Sequence, residues 1–60
     1  MVTYIENNYN DVVFTNGPTR VHVTNPDIFE MFEDLEEMVY DFAMLVQMAK
    51  NENEEGIQLV

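Results

Sequence analysis

Between Ile28 and Ala49 the apolar residues fall at alternating steps of four and three: Ile28, Phe32, Leu35, Val39, Phe42, Val46, Ala49. That spacing belongs to one side of a helix, since a strand would repeat every second residue. Neither Gly nor Pro interrupts it from Asp27 to Lys50. The pattern predicts one long C-terminal helix over about residues 26–50, roughly 37 Å at 1.5 Å per residue. Met31, Met38 and Leu45 widen the seam at seven-residue intervals. Asn25 is the expected N-cap and Pro26 the first helical residue, because proline pushes the residue before it out of the helical region. The rival cap is Thr24, with Asp27 completing a capping box.

The residues before the helix read as strands. Val2–Ile5 is β-branched and aromatic, and Asn7–Asn10 is a turn cluster. Asp11–Thr15 is a second strand. Asn16-Gly17-Pro18-Thr19 is a strong loop signal, and Arg20–Thr24 alternates, with Val21 and Val23 on one side and Arg20, His22 and Thr24 on the other. A loop of that length pairs Phe14 with Val21 and Val12 with Val23, gathering four apolar side chains on one face. The expected fold is therefore α+β: a small antiparallel β-meander of two or three strands packed on one long C-terminal α-helix. The strands lie at about 2–24, the helix at about 26–50 and a tail at 51–60, in a single small domain spanning 1–60. The tail ends in Ile57-Gln58-Leu59-Val60, either a docking strand or frayed.

Sixty residues bury a small core, and chains of this size usually gain stability from disulfides, a metal or self-association. Cysteine is absent, which excludes disulfides and thiolate metal sites. Tyr40, Met44 and Met48 stand at i, i+4, i+8 away from the seam, and Phe42–Val46 holds no polar side chain. A helix apolar on every side has more to bury than one small sheet can cover. A homodimer through Tyr40, Met44, Gln47 and Met48 is expected, with the alternative that the tail folds back over Tyr40 and Met44.

Charge gives the second constraint. Twelve acidic residues oppose two basic ones, for a formal charge of −10. Direct binding to nucleic acid and attachment to an anionic membrane are disfavoured, and no apolar run is long enough to span a bilayer. Met1-Val2-Thr3-Tyr4 has none of the regions of a signal peptide, and the lack of cysteine fits a cytoplasmic location. On the expected helix Asp27, Glu30, Asp34, Glu37 and Asp41 follow at +3, +4, +3, +4, one continuous stripe flanked by Glu33 and Glu36. No Lys or Arg lies between Arg20 and Lys50. Surface helices usually intersperse Lys with Glu and gain about 0.2–0.5 kcal/mol per i,i+4 pair. The helix dipole favours acids in the first turn alone, which leaves Glu37 and Asp41 of a continuous helix without a local reason. Five carboxylates over about 21 Å of helix, widened by side-chain splay, come close to the spacing of a phosphate backbone.

In size, charge and helical carboxylates the chain resembles the small acidic inhibitors of phages and mobile elements, which mimic DNA against repair, restriction or CRISPR proteins. The resemblance implies a non-enzymatic inhibitor whose partner is a basic nucleic-acid-binding protein. Asp27, Glu30, Glu33, Asp34, Glu37 and Asp41 would meet that protein's groove. No motif narrows the class to one family. The competing expectation is a dimeric adaptor, or an antitoxin or transcription-regulator partner, that binds through the apolar Met-rich part of the helix. A minor structural or assembly role is a third.

Signals for chemistry are sparse. His22 is the one histidine, and Ser and Cys are absent, so nucleophilic triads are excluded except through Thr. No catalytic residue, metal ligand or cofactor is expected. Asn51-Glu52-Asn53-Glu54-Glu55 does not have the spacing of a calcium-binding EF-hand loop.

Overall fold

The computed structural model describes residues 1–60. The first half folds as its alternation requires. β1 (Thr3–Asn8), β2 (Asp11–Asn16) and β3 (Thr19–Val23) form an antiparallel meander. Val12 pairs with Val23 and Phe14 with Val21, the expected register. Pairing continues to Asn16 and Thr19, so the turn is the two residues Gly17-Pro18. Gly17 takes φ +59° and proline's ring holds the next φ negative, the sequence of signs of a type II′ hairpin turn.

The tail is a docking strand. β4 (Ile57–Leu59) pairs antiparallel with β3, Ile57 opposite Val23 and Leu59 opposite Val21, so the sheet has four strands in the order β1-β2-β3-β4. Ile57 enters the core. The tail thus folds back onto the sheet edge and not over Tyr40 and Met44.

The single long helix is replaced by three short ones: α1 (Pro26–Glu30), α2 (Leu35–Tyr40) and α3 (Phe42–Lys50). Asn25 caps α1 as expected, its Oδ1 accepting the Asp27 N–H at 2.9 Å. The first break is made by Asp34. Its backbone is extended (φ −157°, ψ 178°), and its Oδ1 accepts the Glu37 N–H at 2.9 Å, starting α2. Glu37 Oε2 in turn accepts the Glu33 N–H at 3.0 Å. Asp is a poor interior helix residue because it satisfies backbone groups better as a cap. The second break is a kink. Asp41 alone leaves helical geometry (φ −98°, ψ 30°), while Asp41 N–H to Glu37 O (3.0 Å) and Leu45 N–H to Asp41 O (3.2 Å) carry the i→i−4 ladder across it.

Size explains why breaking wins. Strands of five or six residues span about 17–20 Å, so a 37 Å rod would overhang the sheet at both ends. The folded chain measures 27 × 21 × 18 Å. Three short helices lay their apolar sides on one face of the sheet and leave the other open. The core consists of Val12, Phe14, Val21 and Val23 from the meander, Ile28, Met38, Phe42 and Leu45 from the helices, and Ile57 from β4. The core-facing line runs through Met38, Phe42 and Leu45. Leu35, Val39, Val46 and Ala49 of the expected seam pack half-buried beside it.

Candidate partner-binding surface

The two layers carry very different charge. Seven carboxylates belong to the helical segment: Asp27, Glu30, Glu33, Asp34, Glu36, Glu37 and Asp41. All seven are exposed. The one ion pair of the molecule is His22 with Asp11, on the opposite side of the sheet, so none of the seven is neutralised by a cation of the chain. Arg20 and His22 both lie on β3, and Lys50 closes α3.

The unbroken stripe does not form, because the rod that would carry it is divided. Asp27 lies in the first turn of α1, and Asp34 and Glu37 serve the start of α2 through the two hydrogen bonds above. Glu36 also lies in that first turn, where the dipole favours a negative charge. Glu37 therefore has a local structural reason that a continuous helix would not give it. The carboxylates of Glu30, Glu33 and Asp41 make no hydrogen bond within the chain. Glu30 ends α1, where the dipole disfavours an acid. Asp41 sits between α2 and α3 without a capping hydrogen bond from its side chain. These three acids have no task in holding the fold.

Tyr40 and Met44 are 85% and 49% exposed, and Ala43 and Gln47 lie exposed beside them, an uncharged patch on the outside of the helical layer. Met48 faces differently: it is half-buried and packs against the core.

Two grooves follow β1 on its helix-facing side. The first, about 500 Å³, lies between Val2, Thr3 and Tyr4 of the β1 end and Glu36, Val39 and Tyr40 of α2. The second continues past Glu6 to Tyr9, with Phe29, Phe32 and Leu35 among its apolar lining and Glu30, Glu33 and Asp34 among its acids. The Tyr4 ring rests on Phe14, centroids 5.8 Å apart, which anchors the groove to the core. The acidic row, read along the chain, supplies Glu30, Glu33 and Asp34 to the second groove but does not show the β1 side. Its one sequence signal is that Val2, Tyr4 and Glu6 alternate onto one face of the strand.

On the open face of the sheet His22 Nε2 lies 2.5 Å from Asp11 Oδ1, and the Asn7 side chain donates to the same oxygen at 3.4 Å. The hydrogen bond from His22 holds the Asp11 carboxyl below its ordinary range. Partial burial opposes the shift and Asn7 adds to it. The β2–β3 register places His22 opposite Val13, one diagonal step from Asp11. No three His, Asp or Glu side chains converge in a way that could hold a metal ion. No helix is long and apolar enough to cross a membrane. Comparison with protein-family models, curated proteins and solved structures finds no match to this chain.

Proposed function

We propose that the chain is a non-enzymatic inhibitor of the phage or mobile-element type, acting in the cytoplasm. It occupies the basic DNA- or RNA-binding groove of a target protein, with its carboxylates in place of phosphates. One observation carries this reading: seven exposed carboxylates share the helical segment and no cation of the chain pairs with any of them. Such a surface keeps its full field for a partner, steers a basic groove toward it and repels nucleic acid itself. The array is bent at Asp34 and Asp41, so it suits a curved or stepped groove better than a straight one. Glu30, Glu33 and Asp41, free of structural work, are the residues on which binding depends most. Asp27, Asp34 and Glu37 contribute charge in addition to capping or first-turn stabilisation.

The test is displacement of labelled duplex DNA from a panel of basic-groove proteins, including a DNA glycosylase, a nuclease, an RNA polymerase and a CRISPR effector. The chain is expected to release DNA from at least one of them, and E30K/E33K/D41K to fail at the same concentration while keeping its circular dichroism. Equal displacement by the triple variant would overturn the reading, as would no displacement from any member.

A second reading is favoured by the exposure of Tyr40, Ala43, Met44 and Gln47, an uncharged patch within an acidic surface. It makes the chain a dimeric adaptor whose helical patch meets a second copy or a partner's groove. M44A/Q47A, at exposed positions outside both grooves, separates the two: it weakens a patch-mediated contact and leaves a charge-mediated one in place.

A further inference from the structure

The sheet order leaves two edges, β1 and β4. β4 has three residues. β1 has six, all exposed. Proteins usually guard such an edge with Lys, Pro, a short length or a bulge, because its unpaired N–H and C=O groups are a template for another strand. β1 carries neither Lys nor Pro, and its one irregularity of register falls between Glu6 and Asn8; its one charge is the inward-facing Glu6, which guards the edge against acidic strands but not against a basic one.

The grooves beside this edge add chemistry to it. Tyr4 and Glu6 pair with Phe14 and Val12 of the core and so point toward the helices. Along the edge the floor is apolar and aromatic, supplied first by Tyr4, Val39 and Tyr40 and then by Phe29 and Phe32. The polar part of both linings is dominated by carboxylates, Glu36 in the first and Glu6, Glu30, Glu33 and Asp34 in the second, and neither contains Lys, Arg or His. An unpaired edge, an aromatic floor and unopposed negative charge lie along one line.

We propose that β1 takes up an extended basic segment of the partner protein as a fifth strand. Alternate side chains of that segment would enter the trough. An Arg or an apolar residue would lie between Tyr4 and Tyr40, and further Arg or Lys residues would meet Glu36, Glu6 and Glu33. This rests on the reading of the partner as basic and names the part of it that is held and the way it is held. A second copy does not suit the trough: it would bring its own Glu6 and a further charge of −10 to a site lined with carboxylates.

The experiment is an amide-resolved NMR titration of the whole chain with a short capped peptide of alternating Arg and Val. Two controls accompany it: the same peptide with a central Pro, and the same pattern with Glu in place of Arg. Expected are shifts centred on Val2–Glu6, Glu36, Val39 and Tyr40, slowed amide exchange in Thr3–Glu6, and affinity at least about tenfold weaker for the Pro peptide. The Glu peptide should not bind. Tyr40→Ala, at an exposed site, should weaken binding by a similar factor without changing the fold.

Equal binding of the Pro peptide, or shifts confined to Asp27, Glu30 and Asp41, would overturn edge docking and leave a basic partner standing. Failure of the Arg peptide while DNA displacement persists would do the same. Binding of the Glu peptide as tightly as the Arg peptide would overturn both proposals. Shifts in β1 that follow protein concentration with no peptide present would assign the edge to a second copy and overturn this one.

Discussion

Gly56 lies against Asn25 so closely that a Cβ on Gly56 would stand 2.5 Å from the Asn25 Cβ and 2.9 Å from its backbone nitrogen. Gly56 O accepts the N–H groups of both Thr24 (2.7 Å) and Asn25 (3.2 Å), and Asn25 Nδ2 donates to Glu55 O at 3.1 Å. The same asparagine caps α1. One residue therefore ties together the exit of β3, the start of the helical layer and the entry to β4.

Gly56→Ala should be among the most damaging single changes outside the core. Gly56 has φ +74°, and the left-handed backbone alone costs an L-residue about 1–2 kcal/mol before the clash with Asn25 is added. Gly17→Ala, also at positive φ but with nothing near its missing Cβ, should cost only the backbone part. Urea midpoints of the two variants make the comparison. Equal losses would mean that the Asn25 contact is not close. Asn25→Asp keeps the cap acceptor and loses the donor to Glu55, so it should lie between wild type and Asn25→Ala, for which cap loss is about 1 kcal/mol.

At Asp34 folding and charge can be separated. Asp34→Asn keeps a side-chain oxygen for the Glu37 N–H and should change stability by only a few tenths of a kcal/mol, while Asp34→Ala should lose about 1 kcal/mol. Both remove the same negative charge. Denaturation should therefore distinguish the two variants, and partner binding should weaken alike in both. Equal stability of the Asn and Ala variants would remove the cap at the start of α2.

The rotation of α3 makes a sharp contrast between neighbours. Leu45 is fully buried and Met44 is half exposed. Leu45→Ala should cost about 2–5 kcal/mol. That is comparable with the total stability of a domain this small, so the variant should be largely unfolded at room temperature by circular dichroism. Met44→Ala should stay within about 0.5 kcal/mol of wild type. A reversed order would contradict this rotation of α3.

Asp11 contributes an acid-dependent term. Its carboxyl titrates below the ordinary value in the folded chain, so the folded state holds this proton less tightly than the unfolded one. The resulting stability is complete above the unfolded value, about 3.9. It is lost as pH falls through the lower folded value. Asp11→Asn should be less stable than wild type at neutral pH, and the difference should close as the pH drops below that range. Carbonyl chemical shifts of Asp11 against pH check the direction, and a midpoint at or above the ordinary carboxylate value would contradict it.

What could be read along the chain was local. Alternation around Gly17-Pro18 set the Phe14–Val21 and Val12–Val23 register, and Asn25-Pro26 marked the first helical turn. The breaks at Asp34 and Asp41 were hidden because the apolar period runs straight through them. They follow from the short sheet beneath, a tertiary cause that propensity does not carry. The pattern does not decide β4 between strand and frayed end because three residues hold too little of it, and the bonds that fix its start come from Thr24 and Asn25, about thirty positions away. The acids of the helical segment stand out along the chain and are all exposed, but their arrangement depends on the rod. The trough along β1 needed both layers in place before Tyr4 could meet Val39 and Tyr40.

The central claim is that carboxylates of the helical segment, unpaired within the chain, are what a basic partner grips. The most direct measurement is the slope of log Kd against log salt for the chain bound to the protein from which it displaces DNA, compared with E30Q/E33Q/D41Q. Expected is a steep loss of affinity between about 50 and 200 mM salt for wild type and a distinctly shallower slope for the neutralised variant. A wild-type affinity that does not change with salt, or identical slopes for the two proteins, would contradict the claim.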